Sequence, residues 1–82
     1  MTANPEHVDA LVDEIKPILA GHAPNLVGAV LADLLAIFMA GLHPALREEI
    51  LEMHIKSVRG LIPINEARMR EEGRYPPDWR PQ

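Results

Sequence analysis

Cysteine is absent from the chain, which excludes both a disulfide framework and a thiolate metal site. Aromatic rings are almost as scarce, with Phe38, Tyr75 and Trp79 the only ones. Hydroxyl nucleophiles are limited to Thr2 and Ser57, and no glycine-rich elbow surrounds Ser57. There is no phosphate-cradling loop and no dinucleotide fingerprint. The histidines His7, His22, His43 and His54 include no HExxH pair, and Leu51 stands where the Glu of a bundle-type Glu-x-x-His site would be. These absences leave no expected metal or cofactor and make an enzyme the least favoured class.

Charge of one sign is also missing as a field. The net charge is −4, with five acids against Lys16 in residues 1–46 and seven of each sign in residues 47–82. A general nucleic-acid binder would usually be basic. The opening MTANPEHVD lacks a basic stretch leading into an apolar run, so no secretory signal is expected and a cytoplasmic setting is the default.

What is present is apolar helix. The segment Pro24–Gly41, PNLVGAVLADLLAIFMAG, sorts at about 100° per residue into two unlike faces. Leu26, Val27, Val30, Leu31, Leu34, Leu35, Ile37 and Phe38 occupy roughly half the circumference, wider than the stripe of about 100° that one core requires. Gly28, Ala32, Ala36 and Ala40 form a small-residue stripe on the other face, where either close helix approach or plain exposure is consistent with the spacing. Asp33 is the only charge in this segment. At the centre of a bilayer it would cost about 2.5–3.5 kcal/mol, and the flanks carry no basic cluster, so a membrane span is disfavoured.

Around this segment, punctuation divides the chain. Asn4-Pro5-Glu6 reads as a helix start, giving a first helix over about 5–20 with Val8, Leu11, Val12, Ile15, Ile18 and Leu19 on one stripe. Pro17 should kink that helix or end it early. Gly21 and Pro24, then Gly41 and Pro44, close one helix and open the next. The spacing predicts further helices over about 44–60 and 63–72, separated at Gly60 and Pro63 and ended by Gly73. Residues 74–82, RYPPDWRPQ, read as an extended tail because paired prolines favour polyproline II.

The expectation is an all-α fold: a small three- to four-helix bundle over residues 1–73 around a central, nearly all-apolar helix, completed by homodimerisation. A chain of 82 residues buries only about 60% of its unfolded surface, and the second and third helices offer more apolar arc than that core can take. The expected interface and tail contacts are Leu31, Leu35, Phe38, Tyr75, Trp79, Arg74 and Arg80. Asp33 is expected to pair with His54 or Arg47, within the chain or across a dimer, because a buried charge without a partner is costly.

Function follows only coarsely. The leading expectation is a non-catalytic oligomerisation or protein-interaction module, with a second copy as partner and another protein possible at the tail. The alternatives are a small nucleic-acid-binding regulator using the Arg and aromatic tail, and a ligand or enzymatic pocket around Asp33 and His54. The tail carries Glu71, Glu72 and Asp78 among its arginines, and Glu48 and Glu49 open the third helix; both features disfavour nucleic acid.

Overall fold

A computed structural model describes residues 3–79. The described residues form three α-helices, α1 (Pro5–Leu19), α2 (Pro24–Ala40) and α3 (Pro44–Glu71), followed by a 3₁₀ turn over Pro77–Trp79. No strand occurs among them, so the all-α expectation is met. The chain divides into two units, Met1–Phe38 and Met39–Gln82.

In the first unit, the Asn4 side chain accepts from the Glu6 amide at 2.9 Å and Pro5 follows it. The cap satisfies a backbone donor that the first turn leaves orphaned, and proline costs nothing where no N–H is needed. Pro17 falls in the last turn. It cannot donate to the Asp13 carbonyl, and the helix ends two residues later. The Ala20 amide still reaches the Lys16 carbonyl at 3.0 Å, and Gly21 then takes a left-handed backbone with φ 83°. A side chain at Gly21 would be strained there.

In the second unit, the His43 ring caps α3 by accepting from the Ala45 amide at 3.1 Å, one residue ahead of Pro44. The expected division at Gly60 and Pro63 is corrected: α3 runs unbroken from Pro44 to Glu71 with both residues inside it. A stop at Gly60 would use a left-handed backbone, which the chain adopts at Gly21 and Gly73 instead. A fresh start at Pro63 would want an accepting side chain just before it, and Ile62 has none. One lost backbone bond at Pro63 is cheaper than two uncapped helix ends.

The end of α3 is a full Schellman motif. The Arg74 amide donates to the Met69 carbonyl at 2.8 Å, the Gly73 amide to the Arg70 carbonyl at 3.1 Å, and Gly73 has φ 71°. The tail departs from the fully extended form expected, because the Pro76 carbonyl accepts from the Trp79 amide at 3.1 Å and closes the 3₁₀ turn.

Little is buried. Met39, at 9% exposure, is the one buried residue among those described, while nineteen large apolar side chains are between 37% and 70% exposed.

Candidate functional site

The three polar residues singled out by the sequence have different surroundings. Asp33 is exposed on α2 and belongs to no ion pair among the described residues. His54 is half-buried on α3, with Nδ1 donating to the Ile50 carbonyl at 3.0 Å. Arg47 is turned back on the end of α2. Its Nε donates to the carbonyls of Met39 at 3.1 Å and Leu42 at 3.2 Å, and its Nη2 donates to Ala40 at 3.0 Å.

Arg47 therefore acts as the C-terminal cap of the preceding helix. The last turn of α2 contains no basic residue, so its orphan carbonyls and the negative end of its dipole lack a local counter-group. The guanidinium supplies one from the first turns of α3. That role was open to inspection, since a long cation eight residues beyond an uncapped turn is within reach once the link is short.

At the other end of the unit, the tail folds back on α3. The Tyr75 hydroxyl donates to Glu66 Oε2 at 3.0 Å and also lies 3.3 Å from the Trp79 carbonyl. The Arg70 guanidinium sits 4.6 Å over the Tyr75 ring, and Trp79 meets that ring edge-on at a centroid distance of 5.9 Å. Arg70 also approaches Glu66 at 3.6 Å, while Arg74 pairs with Glu72 at 2.7 Å. Of the expected tail contacts, Tyr75 and Trp79 are thus brought together; Arg80 lies outside the described residues, as does Thr2. Arg70 is one of the arginines the sequence sets beside these rings, whereas Glu66 was not anticipated, although its i, i+4 spacing to Arg70 and the reversal at Gly73 are both visible in the sequence.

No family model matches the chain, and neither does any curated protein or solved structure compared with it. The site must therefore be understood from its own geometry.

Among the described residues no group of acids and histidines is arranged to hold a metal ion, and no helix is long and apolar enough to cross a membrane. Large apolar side chains are exposed on all three helices. On α2, Leu26, Leu31, Leu34, Ile37 and Phe38 are each about half exposed or more. The stripe Gly28, Ala32, Ala36 and Ala40 is exposed as well, and a Cβ built on Gly28 meets nothing within 4 Å. Shallow apolar depressions mark the helices. One is lined by Ile18, Leu19, His22, Leu26, Val27 and Val30 and another by Val58, Leu61, Ile62, Asn65, Glu66 and Met69.

Proposed function

We propose that this chain is a non-catalytic helical assembly module whose first partner is a second copy of itself. One observation carries the reading: nineteen large apolar side chains are exposed while Met39 alone is buried among the described residues. Soluble chains rarely leave contiguous apolar surface open without a partner for it.

Magnitude decides which helices take part. Completing the burial of a half-exposed Leu, Ile or Phe is worth about 1 kcal/mol, so the five from α2 of each copy contribute about 10 kcal/mol together. Association itself costs about 4–15 kcal/mol. The apolar arc of α2 alone gives little surplus, so the interface is expected to include α3 as well.

Among the described residues, Arg70 is engaged with Tyr75 and Glu66, and Arg74 with Glu72. That favours protein assembly over a nucleic-acid role, for which those cations would have to be released to phosphates. Trp79, 62% exposed at the edge of the clasp, is the side chain suited to a further protein contact.

Light scattering on a dilution series tests the reading. The full chain should have twice its monomer mass, and a chain ending at Gly73 should keep that mass because the clasp is made within one chain. A monomer at every concentration would refute self-assembly.

A further inference from the structure

On α3, Leu51, Ile55, Val58, Ile62, Asn65 and Met69 are separated alternately by four and three residues. This is the spacing of a coiled-coil seam, carried on a continuous helix because α3 does not break at Pro63. The seam is about 27 Å long at about 1.5 Å per residue. At about 100° per residue Gly60 falls opposite the seam and Pro63 about 120° from its centre, so neither occupies a seam position. Ile55, Val58 and Ile62 are 44%, 55% and 52% exposed. The seam is open from Ile55 to Asn65, while Leu51 and Met69 at its two ends are half-buried; side-chain contacts from the tail run to Glu66 and Arg70 on the flank.

The depression on this helix shows the shape of what covers it. In a coiled coil each side chain of the seam enters a hole made by four residues of the facing helix. Val58, Leu61, Ile62 and Asn65 form one such hole, and Ile62, Asn65, Glu66 and Met69 form the next; together they are the lining of the depression. Two consecutive holes call for two knobs at matching spacing, and the same helix in a second copy presents Ile62 and Asn65.

Asn65 and the flanking charges choose the orientation. The Asn65 Nδ2 donates to the Leu61 carbonyl at 2.9 Å, leaving a second N–H and the Oδ1 for an outside partner. In a parallel, in-register pair the two Asn65 amides face each other across the axis, each able to donate and accept. An antiparallel pair using the same seam sets Asn65 against Ile55 of the second copy. It also brings the two Arg59 side chains together and Glu52 beside Glu66 of the second copy, which are like-charge contacts.

We infer that α3 pairs with α3 of a second copy as a parallel, in-register two-stranded coiled coil over residues 51–69, with Asn65 fixing the register. This rests on the homodimer reading above and names the part of its interface that α3 supplies.

The absence of cysteine makes the test clean. Val58→Cys, on the seam, and Lys56→Cys, on the outer side, are each introduced into the full chain and oxidised at equal concentration, with mass measured on the reduced proteins. Parallel register brings the two copies of position 58 within disulfide reach and keeps position 56 apart, so cross-linking at 58 should be about ten-fold faster or more. Ile55→Cys, also on the seam, should behave like Val58→Cys and covers the case in which one variant folds poorly. A dimer that cross-links only in a mixture of Val58→Cys and Ile62→Cys chains would overturn the orientation. A dimer with no seam cross-link in either arrangement would overturn the interface while leaving self-assembly standing. A monomer would overturn both.

Discussion

Replacing Gly60 by Ala gives a result whose sign depends on whether α3 is one helix. In the structure Gly60 lies inside α3, its backbone is helical, and a Cβ built on it meets nothing within 4 Å. Alanine there should stabilise the fold by about 0.8–1 kcal/mol, the helix propensity difference undiminished by any clash. Had the chain turned at Gly60 through a left-handed backbone, alanine would instead cost about 1–2 kcal/mol. The two readings are separated by about 2–3 kcal/mol, the difference between those propensity and left-handed terms. Urea denaturation followed by circular dichroism resolves that gap, with both proteins at one concentration because dimerisation contributes to apparent stability. In a thermal scan the expected gain is about 4–8 °C. Lower stability in the alanine variant would refute a continuous α3 and remove the seam with it. Gly60 faces away from that seam, so the dimer mass should not change.

Gly28→Ala poses the parallel question on α2. With open space at its built Cβ, alanine should add about 0.8–1 kcal/mol; weakened dimerisation by light scattering would instead place the small-residue stripe in the interface. Arg47→Met removes the guanidinium from the carbonyls of Met39, Ala40 and Leu42. Because most of that contact is exposed, the expected loss is about 1–2 kcal/mol, read from urea midpoints, with Arg47→Lys losing less. Tyr75→Phe deletes the hydroxyl that donates to Glu66, with a loss of about 0.5–1.5 kcal/mol and faster amide exchange confined to the last turn of α3.

How much of this was legible differs by element. The three helix starts at Pro5, Pro24 and Pro44 were written in proline, and the stops at Gly21 and Gly73 in glycine, because each residue type suits one backbone geometry. At Gly60 and Pro63 the same letters misled. A glycine stops a helix only where the chain reverses, and a proline starts one only where the helix has already ended; Leu61 and Ile62 between them provide neither condition. The Tyr75 clasp was readable as a reversal at Gly73 but not as a set of contacts, since Glu66 and Arg70 also fit an ordinary solvated face. Arg47 was harder still. The backbone carbonyls it reaches carry no sequence signature.

The Arg47 cap and the Tyr75 clasp span eight and nine residues at most. Contacts this local close loops at little entropic cost and form on the microsecond scale of helix and short-loop closure. The corner at residues 39–47 and the reversal after Gly73 are therefore expected to be set before two chains meet. The slow step in reaching the assembled state would then be encounter, so the refolding rate should rise with protein concentration.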